Sequence, residues 1–271
     1  MYNPPRKLEA ILLDWGGTTI DHGSRAPMQV FVEIFRQSGI EITEAEARGP
    51  MGKAKREHIA EVIHLPRIAA LWREKTGRSP AETDIDRLYA QFLPLQKEIL
   101  AQHSRLIPGV GPALAQLAAA GYKIGSTTGF TRELMDVLVP LATEQGYCPA
   151  AVICSDDVPA GRPLPWMNFR AAEKLGSFPP SAILAVDDTL VGIAAARNAG
   201  MWCVGVTICG NGLGLDYEQT QALGSAELDI IHQRLSAQYL AQGAHFAIRS
   251  VAELPEIIEQ INSKLAALTM P

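Results

Sequence analysis

Short apolar runs that end in polar or glycine-rich residues recur along the chain, at Leu8–Leu13, Lys123–Ser126, Ala151–Cys154, Ala182–Val186 and Trp202–Val206. Runs of this length without polar alternation read as strands buried on both faces. Helix-like stretches separate the later ones, and strands alternating with helices predict a parallel sheet covered on both sides, a doubly wound α/β fold. Ligands of such folds bind at the carboxyl ends of the strands.

One region breaks the alternation. From about Ala26 to His103 the pattern is amphipathic and helical, punctuated by Gly49-Pro50, Pro66, Gly77 and Pro80. Thr83 with Asp86 reads as a capping box opening a helix that carries Ile85, Leu88, Tyr89 and Phe92 on one face, and Pro94 is expected to kink or end it. The Pro108-Gly109 turn returns the chain to helix Val110–Ala120. The expected architecture is therefore an α/β core, residues 1–24 and 104–271, with an all-helical cap domain, residues 25–103, inserted between the first and second strands.

Composition narrows the partners. The chain has 271 residues, 47% apolar and 20% charged, which suits a folded globular protein. The net charge of −5 comes without a basic stripe, which argues against nucleic acid and for a small-molecule partner. No stretch approaches the roughly 18 uninterrupted apolar residues of a membrane helix, and Met1–Leu8 lacks the apolar core of a signal peptide, so a soluble, cytoplasmic protein is expected. Cys148, Cys154, Cys203 and Cys209 lack metal or redox spacing and read as buried, reduced thiols.

Four strings at strand ends carry candidate chemistry. DWGGTTID begins with Asp14, a carboxylate able to attack phosphorus. There Gly16 and Gly17 permit tight backbone geometry, and Thr18 and Thr19 offer hydroxyl and amide donors that suit an anion. Asp187 and Asp188, in VDDT, would meet Asp14 around one hard cation such as magnesium, whose charge offsets the repulsion between a carboxylate and an anionic phosphoryl group. Read alone, Asp188 also suits the cap of the helix starting near Thr189. Ser126-Thr127-Thr128-Gly129 offers a hydroxyl and amides to a phosphoryl oxygen. Arg162, in AGRP, is placed to pair bidentately with an anion and the carboxylates.

Taken in order, DWGGT, STTG, AGRP and VDDT resemble the four motifs of the haloacid dehalogenase superfamily, whose members use the first aspartate as nucleophile. The longer strings MGKAKREHIAEVIHLPRIAALW, KIGSTTGFTRELMD, DDVPAGRPLPWM, RNAGMWCVGV and GAHF resemble its phosphonatase family over nearly the whole chain. The resemblance implies hydrolysis of phosphonoacetaldehyde to acetaldehyde and phosphate in 2-aminoethylphosphonate degradation. It also implies a Schiff base on Lys55, an aspartyl-phosphate on Asp14, and Mg2+ held by Asp14, Asp188 and the Gly16 carbonyl. Substrate contacts from Met51, His58, Thr128, Gly129 and Arg162 follow from the same likeness, as does a homodimer joined through the caps, for which the run His64–Trp72 offers an apolar surface. A free lysine, with a pKa about 10.4, is neutral in roughly one molecule in 2,500 at pH 7, so the site must lower that value. His58 lies three residues after Lys55, on the same helical face, and suits a proton relay. The other histidines, His22, His64, His103, His232 and His245, read as structural.

Superfamily phosphatases place a second aspartate two residues after the nucleophile to protonate an ester oxygen. Gly16 stands there, which argues against an ordinary phosphomonoesterase. The alternatives are a superfamily phosphatase acting on another small phosphorylated metabolite, a dehalogenase, which gives Asp187 and Asp188 no purpose, and an inactive binding protein. Three departures from the phosphonatase pattern, Phe130, Ser24 and Gly192, receive no role, although Asp187 is suited to replace the acid missing at position 192.

Overall fold

In the computed structural model, which describes residues 5–268, each of the five apolar runs contributes a strand, and a sixth joins them. The strands are β1 Ala10–Leu13, β2 Lys123–Thr127, β3 Ala151–Ile153, β4 Ile183–Asp187, β5 Trp202–Val206 and β6 Phe246–Ile248. They pair in parallel in the order β3-β2-β1-β4-β5-β6. The chain leaves β1 to build one half of the sheet and returns to its other side to build the second half, which puts the switch point of the sheet beside β1. Strand β6 is short and only half buried, so its apolar run is too brief to stand out in the sequence.

All four residues of β1 are buried, and they divide between two cores. Ile11 and Leu13 pack with Val110, Leu134, Leu138 and Ile258 on one face, while Ala10 and Leu12 pack with Met167, Ile193 and Tyr239 on the other. The two-residue period of a strand thus sends alternate side chains into opposite layers. Three of the four cysteines are buried and all are free; Cys148, expected to be buried, is exposed.

From residue 25 to residue 100 the chain forms five α-helices and no strand: α1 Arg25–Gln37, α2 Glu44–Arg48, α3 Lys55–Ile63, α4 Pro66–Thr76 and α5 Glu82–Leu100. They enclose a third apolar cluster of their own, with Phe31, Phe35, Ile59, Val62, Ile68, Trp72, Leu88 and Phe92. Ile68 and Trp72 are therefore committed to the interior of the cap, and within His64–Trp72 only Leu65 and Leu71 remain as half-buried apolar side chains of any size. Two helix expectations need correction. The start of α5 is closed by Asp84, whose carboxylate accepts from the Ala81 amide at 3.0 Å, while Asp86 pairs with Arg56. Pro94 neither ends α5 nor costs it burial, because the helix runs through to Leu100 with Phe92 and Leu100 both in apolar packing.

Candidate active site

Asp14 follows β1 directly, so its carboxylate emerges at the switch point of the sheet, 6% exposed. Asp187 ends β4 and Asp188 follows it, and the parallel register of β1 with β4 brings all three acids together. Each offers an oxygen within 4.8 Å of the others. Burial pushes the pKa values of Asp187 and Asp188 up, with Asp14 adding to the rise in both and Arg162 opposing it at Asp187. Three buried carboxylates this close repel one another strongly unless a cation or protons intervene, so the donor set suits a hard divalent ion.

Arg162 supplies part of that compensation. Burial disfavours its charge, but Asp187 and Asp14 outweigh the burial and hold the guanidinium protonated. The geometry differs from the expected bidentate pairing: one nitrogen, Nη2, serves Asp14 Oδ1 at 2.7 Å, Asp187 Oδ2 at 3.1 Å, and the Thr127 hydroxyl and carbonyl at 3.0 and 3.1 Å. Asp187 is further held by the Thr189 amide and hydroxyl, at 2.9 and 2.7 Å. A side chain at position 192 would collide with it, since a Cβ there would lie 2.0 Å from the Asp187 carboxylate. Asp187 thus occupies the space that Gly192 leaves open.

Several donors expected to face an anion are spent on the protein itself. The Thr19 hydroxyl donates to the Asp14 carbonyl at 3.0 Å, the Thr18 hydroxyl to Asp188 Oδ1 at 3.3 Å, and both amides to the Trp15 carbonyl. Ser126 donates to the Ala151 carbonyl. The Thr128 hydroxyl accepts from the Phe130 amide at 3.1 Å, which leaves its own proton to donate. The helix that follows β4, Leu190–Asn198, is capped by Thr189 rather than by Asp188, whose Oδ2 instead accepts from the Asn211 amide at 2.6 Å.

The cap closes the site from above. Asp14, Gly16, Met51, Lys55, Thr128, Gly129 and Arg162 line one small cavity with Ser24, Phe130 and Thr189. Its free volume is only about 20 Å³, against about 670 Å³ for an open cleft lined by His22, Arg25, His103 and Arg105 that contains neither Asp14 nor Lys55. Gly129 explains the tight closure: a Cβ on it would lie 2.8 Å from the Lys53 carbonyl and 3.1 Å from that of Gly52. Only a bare backbone lets the cap loop settle here.

Lys55 opens α3 and is 3% exposed, not on a solvated face. Burial strips water from its ammonium and lowers the pKa from 10.5 to about 8, with Asp14 opposing and Arg162 adding to the fall. Its Nζ lies 4.8 Å from the centre of the Phe130 ring and 5.8 Å from that of Phe31. His58 is fully buried, stacked on Phe31 at 3.7 Å, and burial together with Lys55 pushes its pKa well down. Its Nε2 contacts the Ala47 carbonyl at 2.7 Å, and a carbonyl only accepts, so Nε2 carries the proton. Nδ1 is then a bare acceptor, buried without a partner among the described residues. The other histidines are each engaged with another residue of the protein: His22 with Leu215, His64 with Ala60, His103 with Asp21, His232 with Thr207 and His245 with Cys203.

A parallel α/β sheet roofed by a helical insert, with clustered carboxylates at its switch point, is the architecture of a haloacid dehalogenase-like hydrolase, and the sequence model of that family matches residues 8–200. The chain is 44% identical over 270 residues to a phosphonoacetaldehyde hydrolase of Pseudomonas aeruginosa, covering 100% of this chain and 98% of the relative. It is 42% identical over 258 residues to one of Bacillus cereus, covering 95% and 98%. A crystal structure of a phosphonoacetaldehyde hydrolase-like protein from Oleispira antarctica superposes with a TM-score of 0.97 at 44% identity, over 100% of this chain and 98% of that one. The chain therefore belongs to the phosphonoacetaldehyde hydrolase family and is a hydrolase.

Proposed function

We propose that this hydrolase cleaves the carbon–phosphorus bond of phosphonoacetaldehyde, with Lys55 forming a Schiff base to the aldehyde and Asp14 accepting the phosphoryl group. The observation that carries the reading is the buried Lys55 of the cap, with a lowered pKa, in one closed cavity with Asp14. Cleavage of a carbon–phosphorus bond, unlike that of a phosphate ester, needs an acceptor for the departing electron pair, which an imine on such a lysine supplies. At a pKa of about 8, roughly one lysine in ten is neutral at pH 7, compared with about one in 3,000 at the ordinary value.

In this reading neutral Lys55 adds to the carbonyl and, with one proton taken up from solvent, water departs, leaving an iminium two bonds from phosphorus. His58 Nδ1, the buried bare acceptor, takes and returns the proton. A carboxylate oxygen of Asp14 attacks phosphorus, the carbon–phosphorus pair moves into the iminium, and an enamine and an aspartyl-phosphate result. Water opens the aspartyl-phosphate to free phosphate and Asp14, while protonation and hydrolysis of the enamine release acetaldehyde and Lys55. Arg162 and the Thr128 hydroxyl, both at the cavity wall, bind phosphonate oxygens and orient phosphorus towards Asp14. Gly16 leaves no acid beside the leaving carbon, which departs as an enamine and needs none. Asp14, the Gly16 carbonyl and Asp188 would hold Mg2+, which supplies positive charge against that of the phosphonate. The same reading assigns the protein to 2-aminoethylphosphonate breakdown in the cytoplasm. Assembly as a homodimer through the caps is part of the same reading, and light scattering tests it.

The test is incubation with phosphonoacetaldehyde and magnesium, with and without borohydride, reading phosphate, acetaldehyde and the mass of the peptide that contains Lys55. Both products, with borohydride inactivation and a reduced two-carbon phosphonate or ethyl adduct on Lys55, are expected. Phosphate released only from esters, with Lys55 unmodified, would replace the reading with a general phosphatase.

A further inference from the structure

Arg48, at the end of α2, reaches out of the cap to two other parts of the chain. Its Nη1 donates to the Gly23 carbonyl at 2.8 Å, the Ser24 carbonyl at 3.4 Å and Asn211 Oδ1 at 3.1 Å; its Nη2 donates to the Gly214 carbonyl at 2.9 Å. Gly23 and Ser24 lie where the chain leaves the core for the cap, and Asn211 and Gly214 lie in the loop after β5. That loop is the one whose Asn211 amide donates to Asp188 Oδ2 at 2.6 Å. On the cap side, the Arg48 carbonyl accepts from the Met51 amide at 3.0 Å, within the loop that leads into Lys55. The base of α2 is itself fixed. Thr43 and Glu46 form a reciprocal cap, and Glu46 also accepts two bonds from Arg67 of α4.

Every acceptor of the Arg48 guanidinium is a neutral oxygen, and the four of them come from two separate segments. A planar fork with fixed donor directions spans such a set, and a single ammonium does not. We infer that Arg48 is a positioning residue that ties the Lys55-bearing loop of the cap to the Asn211 loop that orders Asp188, so that imine-forming and cation-binding groups are set in register by one side chain. The inference rests on the roles proposed above for Lys55 and Asp188, but its first test needs neither.

Amide hydrogen exchange is measured on the wild type, Arg48→Lys and Arg48→Ala without metal or substrate, followed by magnesium titration calorimetry and borohydride trapping with phosphonoacetaldehyde. Loss of several charge-assisted bonds predicts exchange about tenfold faster at residues 49–54 and 210–214 in Arg48→Ala, a smaller rise in Arg48→Lys, and unchanged α1 and α5. Magnesium affinity is expected to fall several-fold in Arg48→Ala although Arg48 touches none of the three carboxylates, an effect that cap folding alone would not produce. Unchanged exchange at 210–214 overturns the tie, as does a rise spread evenly through all the cap helices, which would assign Arg48 to cap stability. Faster exchange with unaltered magnesium affinity overturns the link to Asp188. A wild type that binds no magnesium or traps no imine refutes the proposed function, while the exchange result still decides the tie.

Discussion

Replacing Lys55 with methionine keeps the apolar stem and removes a buried ammonium, and the consequence for stability can be worked out. A pKa that falls from 10.5 to about 8 on folding means that the folded protein holds this proton less tightly than the unfolded chain does. At about 1.36 kcal/mol per unit, the charge costs the wild type about 3 kcal/mol at pH 7. That figure is net of every contact the ammonium makes, including that of Nζ with the Phe130 ring. Lys55→Met is therefore expected to be more stable than the wild type by about that amount at pH 7, and unable to form an imine. Below about pH 8 both states are protonated and the whole cost is present; between 8 and 10.5 only the unfolded chain keeps the proton, so the wild type gains on the variant; above 10.5 the cost is gone. Urea denaturation of both proteins at pH 7 and pH 9 reads the gap, and other titrating groups cancel in the difference. A variant no more stable than the wild type at pH 7, or a gap that does not narrow by pH 9, would refute a dehydrated, weakly basic Lys55.

Asp14→Ala is expected to lose all phosphate release while borohydride still traps an imine on Lys55; failure to trap would mean that Asp14 also shapes the lysine. Gly129→Ala pushes a methyl group against the Lys53 carbonyl, at a cost of about 1–3 kcal/mol, and should slow trapping at Lys55; a wild-type trapping rate would show slack in the cap loop. Because burial raises the pKa values of Asp187 and Asp188, protons compete with a cation for the cluster. The rise in melting temperature that magnesium produces should accordingly be larger at pH 8 than at pH 5, and an equal rise at both would place the ion elsewhere. Arg48→Ala should loosen residues 49–54 and 210–214 together, as the exchange measurement reads.

Strand positions, the parallel sheet and the helical insert were legible because apolar runs and helical periodicity are local, and so were the four strand-end strings. Asp14, Arg162 and Asp188 could be singled out because each stands in a short string after an apolar run, and the strings follow one another in a recognisable order. Local reading erred where a side chain had a choice of partners. Thr18 and Thr19 looked like anion donors but bond the backbone and Asp188. Thr83 and Asp86 had the spacing of a cap, yet Asp84 closes the helix and Asp86 takes Arg56. By itself the sequence determined the class of fold, the order of the motifs and the supply of carboxylates, because these depend on neighbours a few residues apart. Only the tertiary structure decided that Lys55 is dry, that Asp187 fills the space beside Gly192, and that Arg48 reaches Asn211, 163 residues away. Burial and long-range hydrogen bonding depend on which segments the sheet and cap bring together, and no local pattern in the chain encodes that.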